Sequence, residues 1–287
     1  MKLEALYQSK PCVFSIECFP PKRAESLDAM KQTLRSMQSL RPDFMSVTFG
    51  AGGTAGGVST VEIAAFLRQE LGIEPLAHLL CMGASAASIT DTAARLAAVQ
   101  VENVLALRGD ETPARPRSAD FAHASDLIAF LHAQQPDFGI AGACYPEGHP
   151  ESATPAADMA ALLGKEAAGA GFLLTQLFFD NAKFYRFLNR ARKAGLHLPV
   201  SAGVMPIVRK SQIERTVALS SASLPSEFTR MISRWQNDEQ ALYDAGIDYA
   251  VRQIRDLIEG GADGIHLYAM NNADLAEKVY AGIRDLL

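Results

Sequence analysis

The 287-residue chain is 48% hydrophobic and 21% charged, which suits a sizeable core and excludes a disordered chain. Lys plus Arg number 27 against 32 Asp plus Glu, and a net charge of −5 carries no global basic footprint for nucleic acid. No apolar run approaches the roughly 20 residues of a membrane helix, and Met1–Lys10 is polar and mixed, unlike a secretory signal. A soluble cytoplasmic protein is the expectation.

In chain order, the first apolar run is Cys12–Cys18 (CVFSIEC), interrupted by Glu17 and followed by Pro20-Pro21, which impose an extended exit. Leu27, Met30, Leu34 and Met37 then recur at helical spacing. Phe44–Phe49 (FMSVTF) is the second run and carries Thr48, and Ile63, Phe66 and Leu67 mark the next helix. Between them lies Gly50–Gly56 (GAGGTAG), where Gly50, Gly52 and Ala55 match the dinucleotide pattern GxGxxG/A. The next strand, however, ends in Leu-Cys-Met, with no acid to hold a ribose. The stretch reads instead as a loop whose backbone approaches a ligand closely.

Leu76–Met82 (LAHLLCM) is the third run, with His78, and Asp91–Ala98 is its helix. Val104–Leu107 (VLAL) is the fourth and leads straight into Arg108-Gly109-Asp110. The Pro- and Arg-rich segment Glu111–Ser118 reads as a βα loop before the helix Ala124–Ala133. Gly139–Tyr145 (GIAGACY) is fifth, followed by a turn with His149 and the helix Ala157–Ala168. Phe172–Phe178 (FLLTQLF) is sixth, with Gln176, and Lys183–Ala194 is its helix. Leu198–Val204 is seventh and Gly264–Ala269, with Tyr268, is eighth. The gap from Met205 to Asp263 is too long for one helix, and Ser211–Leu219, Ser226–Arg234 and Glu239–Glu259 fill it. Leu71-Gly72, Ala170-Gly171 and Ala194-Gly195 read as glycine helix stops.

Short, near-continuously apolar strands alternating with helices predict a parallel sheet covered on both faces. Eight of them predict a (β/α)8 TIM barrel, residues 1–287 forming one domain with extra helices between strands 7 and 8. Chemistry in that architecture sits at the C-terminal strand ends, and seven of the eight strands carry a polar residue there. Glu17 is the sharpest: a carboxyl in an apolar strand is costly to ionise unless paired, so its pKa rises and it suits general acid work. A core Glu paired to a Lys or Arg is the competing explanation. Arg108 and Asp110 read either as a ligand-positioning pair or as a structural ion pair. Cys12, Cys18, Cys81 and Cys144 show no metal-ligand spacing and read as small buried hydrophobes, and no metal site can be assembled. No predicted strand holds a Lys, which disfavours Schiff-base aldolase chemistry.

Taken together, SIECFPPK, SVTFGAGG, AHLLCMG, LALRGD, YPEGHPE, LTQLFFD, GVMPI and HLYAMN resemble the methylenetetrahydrofolate reductase family in its bacterial single-domain form, in order from about residue 12 to 272. The resemblance implies a barrel holding FAD at its C-terminal strand ends. It implies reduction of 5,10-methylenetetrahydrofolate to 5-methyltetrahydrofolate with NAD(P)H, in a ping-pong relay through the flavin. Glu17 would be the general acid for opening the folate five-membered ring, and Asp110 would tune the flavin and stabilise a cationic folate. FAD contacts would come from Thr48, His78, Arg108, Gly109, Asp110, His123, Ala124, Tyr145, His149, Asp158 and Lys165. Gln176, Gln212 and Tyr268 would join Glu17 on the substrate. The family also implies a homo-oligomer in one-carbon metabolism. The chain departs from the family with Thr54-Ala55-Gly56 after GAGG, with Gly164 in the helix before strand six, and with Met270-Asn271-Asn272 where Leu-Asn-Arg is common. Two other readings remain open at this level: a barrel flavoprotein resembling proline dehydrogenase, and a partner-dependent subunit that binds flavin or folate.

Overall fold

Eight parallel strands pair in chain order, and the last closes onto the first: β1 (Val13–Cys18), β2 (Phe44–Val47), β3 (Pro75–Leu80), β4 (Asn103–Leu107), β5 (Gly139–Cys144), β6 (Phe172–Thr175), β7 (Val200–Val204) and β8 (Gly264–Leu267). The computed structural model describes residues 1–21, 23–49, 58–113, 115–213, 216 and 222–287. Helices α1 (Leu6–Ser9), α2 (Leu27–Gln38), α3 (Thr60–Gln69), α4 (Ala86–Ala98), α5 (Ala124–Gln134), α6 (Pro155–Ala167), α7 (Asn181–Lys193), α8 (Ser226–Trp235), α9 (Glu239–Glu259) and α10 (Ala273–Ala281) accompany them, with short 3-10 turns at Leu3–Ala5 and Ala24–Ser26. The barrel is thus the one the alternation predicts, with α8 and α9 as the extra helices between β7 and β8. The GAGGTAG loop lies outside the described residues, as does most of the predicted helix Ser211–Leu219.

Local sequence explains the elements. Met30, Leu34 and Met37 form the buried face of α2, and Ile63, Phe66 and Leu67 that of α3. Side chains of Ser59, Ser85, Thr154, Asp180, Asp238 and Asn272 each accept a backbone N–H of the helix they precede, contributing about 1 kcal/mol apiece. The Ser85 cap, reinforced by Ser88, starts α4 five residues before the predicted Asp91. One glycine stop is relocated. After α6 the left-handed residue is Gly169, at φ +108°, whereas Gly171 enters β6. Gly169 donates to the Glu166 carbonyl and Ala170 to that of Lys165, which closes the helix two residues earlier than the Ala170-Gly171 signal suggests. Gly72 and Gly195 do take positive φ as predicted.

Side chains alternate inward and outward along each strand. Val13, Phe44, Leu76, Leu105, Ala141, Phe172 and Leu174 meet inside the barrel as one buried cluster with Leu3, while Leu6 and Tyr7 pack against it. The amino-terminal segment therefore plugs the barrel floor. It is pinned by Leu3 N–H on Asn103 Oδ1 at 2.9 Å and by Tyr7 OH against Ser201 Oγ at 2.7 Å. Cys12, Cys18, Cys81 and Cys144 are buried and unpaired, in accord with their reading as small hydrophobes.

Candidate active site

The strands end two to three residues before the apolar runs do at Val47, Leu80, Thr175 and Leu267. Beyond those ends single rungs persist: Thr48 donates to the Cys18 carbonyl (3.0 Å), Met82 to Arg108 (2.7 Å), Gln176 to Cys144 (2.7 Å) and Tyr268 to Val204 (2.9 Å). This splayed rim is the mouth of the barrel. Counting by twos from the floor brings Glu17, Thr48, His78, Gly109, Tyr145, Gln176 and Tyr268 to the inward side, so the predicted residues converge because their parity matches.

Glu17 is 18% exposed and its Oε2 lies 3.7 Å from Nε2 of His78 on β3. Burial pushes the Glu17 carboxyl up to about 8 and the His78 imidazole down to about 3. Both groups are therefore neutral near pH 7, and the contact joins an acid to an imidazole without forming an ion pair. At 3.7 Å it is also too long for a hydrogen bond, which leaves buried His78 Nε2 without a partner among the described residues. The competing structural explanation of Glu17, pairing with a Lys or Arg, is not what the described residues show.

Beneath them lies a residue the sequence reading did not single out. His266 on β8 is buried, with Nδ1 2.7 Å from Ser15 Oγ and Nε2 3.2 Å from Ser46 Oγ. Burial, then the neighbouring His78, lowers its pKa to about 3. Its signal was present as the one titratable group in GIHL, three residues before Ala269. Tyr268 crosses β7 to donate to the Thr175 carbonyl at 2.7 Å. Gly203 makes this possible, because a Cβ there would meet that carbonyl at 2.5 Å and the Tyr268 ring at 2.7 Å.

On the β4–β5 side, Arg108 pairs with Glu151 and not with Asp110. Its two Nη groups donate to the two Glu151 oxygens at 2.7 and 2.6 Å, and its Nε donates to the Gly109 carbonyl. Asp110 is exposed. Gly109 sits at φ +83°, and a Cβ there would press on Leu80 and Met82. Tyr145 and His149 meet edge to face at 4.6 Å between centroids. Burial raises Tyr145 to about 12 and lowers His149, whose Nδ1 accepts the Glu151 N–H. Asp158 Oδ1 accepts from His149 N–H and Ser152 Oγ, fixing this turn onto α6. Lys165 is half-buried, donates to the Ala143 carbonyl at 2.6 Å, and is lowered in pKa by burial. His123 is exposed just before α5 and Ala124 opens that helix.

Gln176 accepts its neighbour Leu177 N–H through Oε1, which orients its amide at the rim. Gln212 accepts the Val208 N–H in the same way, after β7. Asn272, where an Arg is common in the family resembled, is the N-cap of α10, accepting the Leu275 N–H at 3.1 Å. Gly164 faces open space. Two clefts of about 260 and 440 Å³ flank α8 and α9, but neither is lined by any inward-facing residue named above. The inward-facing titratable groups converge at the mouth and not at these clefts.

Comparison with known proteins places these features among relatives. A family model described as methylenetetrahydrofolate reductase matches residues 2–284. The chain is 34% identical to a rice (Oryza sativa subsp. japonica) protein named probable methylenetetrahydrofolate reductase (NADH), over 90% of this chain and 46% of that protein. It is 30% identical to the 5,10-methylenetetrahydrofolate reductase of Pectobacterium carotovorum subsp. carotovorum, over 91% of this chain and 87% of that protein. The chain thus spans about half the length of the plant relatives and most of the bacterial one. In three dimensions it is similar to a Clostridium thermocellum protein described as binding two copies of 5-methyl-5,6,7,8-tetrahydrofolic acid. There the TM-score is 0.68 at 13% identity, covering 99% of this chain and 98% of that one. At that identity the likeness concerns the fold.

Proposed function

The chain belongs to the methylenetetrahydrofolate reductase family, and from that premise we propose that it reduces 5,10-methylenetetrahydrofolate to 5-methyltetrahydrofolate with a nicotinamide nucleotide as donor and FAD as bound cofactor. The observation that carries the reading is Glu17: a strand carboxyl at the barrel mouth, unpaired by any cation among the described residues and protonated near neutral pH. Opening the folate five-membered ring expels an amine nitrogen, which needs a proton as its C–N bond breaks. In this reading Glu17 supplies it, leaving a carboxylate that favours the cationic iminium formed on the substrate. Neutral His78 at 3.7 Å neither ionises Glu17 nor takes up its proton, so the proton stays on the carboxyl for the substrate.

The residues present fit a flavin. His78 Nε2 is buried and lacks a partner, and Gly109 offers a backbone surface that a side chain would spoil. Thr48, Tyr145 and His149 supply further polar edges at the rim. Arg108 keeps N–H groups beyond those given to Glu151 and Gly109, and Lys165 and the N-terminal end of α5, with His123 and Ala124, favour phosphate. Asp158 organises the His149 turn, and Asp110 places negative charge beside Gly109. When bound, FAD supplies a two-electron carrier that these side chains lack. Gln176, with Oε1 already engaged, has its Nε2 left to donate to a folate or nicotinamide amide. Gln212 and Tyr268 border the same opening. One mouth then serves both substrates in turn. The plant relatives are named for NADH, which favours NADH over NADPH here.

The test is anaerobic. Protein expressed with adequate FAD should purify yellow, be bleached by NADH, and recover colour on addition of methylenetetrahydrofolate with formation of 5-methyltetrahydrofolate. Absence of bound flavin, or reduced flavin that the folate does not reoxidise, would overturn the reading. Activity on proline with none on folate would favour the proline-dehydrogenase-like alternative.

A further inference from the structure

Strand β1 delivers Glu17 to the mouth, but its pairing with β8 stops short of it. The last paired residues are Ile16 and Leu267, so on the β8 side Glu17 and the residues after it have no backbone ladder. The sequence then removes the usual remedy. Pro20 and Pro21 follow Phe19, and neither has an N–H. Phe19 is therefore the last residue of this exit that can be gripped at both its N–H and its carbonyl until the prolines end.

Asn271 grips both. Its Oδ1 accepts the Phe19 N–H at 3.1 Å and its Nδ2 donates to the Phe19 carbonyl at 2.8 Å, so a side-chain amide stands in for a missing rung of the β1–β8 ladder. The same Nδ2 lies 3.1 Å from Met30 Sδ on α2. The backbone bends to bring the amide there: Met270 and Asn271 take φ of +54° and +53°, a left-handed pair without glycine. Ala269 donating to Leu267, Asn272 donating to Ala269, and the Asn272 cap of α10 hold the bend.

We propose that Asn271 is a positioning residue for Glu17, acting through Phe19 to seal the β1–β8 gap at the mouth and hold the acid on its inward, water-poor side. This rests on Glu17 serving as the acid of the proposed reductase. The titratable groups around Glu17 are His78 on β3 and Tyr268 on β8, with His266 one step deeper beside His78, and Cys18 next to Glu17 on β1 but turned to the outer face. Asn271 touches none of these in the contacts described, so its effect on Glu17 is geometric and works through solvent access.

The experiment uses the flavin-loaded protein and Asn271→Gly, which tolerates the positive φ and removes the clasp together with the Met30 contact. The expected result is a folate half-reaction slowed about tenfold, with its pH midpoint moved down towards an ordinary carboxylate. Flavin reduction by the nicotinamide should be nearly unchanged. Asn271→Asp keeps an acceptor for Phe19 N–H but loses the donor to its carbonyl, and should show the same split to a smaller degree. Unchanged folate kinetics and pH profile in Asn271→Gly, or an equal loss in both half-reactions, would overturn the positioning role. A second readout needs no turnover: the Phe19 amide should exchange slowly in the wild-type protein and quickly in Asn271→Gly, and fast exchange in the wild type would overturn the clasp. If wild-type protein shows a protected Phe19 but no folate reaction, the reductase reading fails while the clasp stands.

Discussion

The two ends of the barrel obey opposite rules. At the floor, apolar side chains from six strands interlock with Leu3, Leu6 and Tyr7, and the polar groups of Asn103 and Tyr7 find partners at 2.7–3.0 Å. At the mouth, Glu17 and His78 face each other neutral and unbonded, two consecutive residues adopt left-handed backbone, and the strands hand over to single rungs. Burial lowers the dielectric at both ends. At the floor it strengthens satisfied contacts; at the mouth it displaces pKa values. One barrel thus separates stability from reactivity along its axis.

The sharpest way to break that separation is to change the mouth alone. Glu17→Gln should lower the folate half-reaction by about 10²- to 10⁴-fold while leaving flavin reduction by NADH nearly intact, as stopped-flow absorbance would show. Equal loss in both would mean that Glu17 is structural. The converse change is at the floor. Phe172→Ala removes a fully buried ring packed against Tyr7 and Phe44 and should cost about 3–5 kcal/mol in urea unfolding, without shifting the pH profile of turnover. Gly203→Ala lies between the two regimes. Its new methyl would collide with the Thr175 carbonyl and the Tyr268 ring, costing about 1–3 kcal/mol and displacing Tyr268, visible as a change in its ring resonances.

The mouth also makes stability depend on pH. Glu17 is raised in the folded state, so it is the folded protein that holds the proton between the unfolded value of 4.5 and about 8. Its contribution is fully present below 4.5 and is lost as pH rises through about 8, falling by about 1 kcal/mol per pH unit in that window. His78 and His266 are lowered from 6.5 to about 3, so they act in the opposite sense and cost stability as pH falls from 6.5 towards 3. Denaturant midpoints should therefore decline from pH 6.5 to 8 in the wild type, and the Glu17→Gln variant should lack that decline. The smallest effect is expected at Asn272→Ala, which loses the α10 cap at a cost of about 1 kcal/mol read from a thermal melt, with little change in folate affinity.

That last prediction shows where sequence was legible. Short apolar runs alternating with helical spacing placed the eight strands, and in the closed barrel a period of two brings Glu17, Thr48, His78, Tyr145, Gln176 and Tyr268 to one rim. What periodicity does not encode is partnership. Asn272 read as a missing cation and proved to be a helix cap, and Arg108 found Glu151 across a turn in place of nearby Asp110. Lys165 turned to a strand carbonyl. His266 was passed over for Tyr268 nearer the end of the same run, and it is the hydroxyls of Ser15 and Ser46 from neighbouring strands that mark it. The floor plug, Leu3–Ser9, is too short for any periodic signal.

The measurement closest to the contrast between floor and mouth is a direct titration of the Glu17 carboxyl by carbon-13 NMR, assigned through Glu17→Gln. A midpoint near 8 is predicted, which keeps the acid protonated near neutral pH, as the proposed reductase requires. A midpoint in the ordinary glutamate range of about 4.3 would contradict it, since Glu17 would then be a carboxylate with no proton to give.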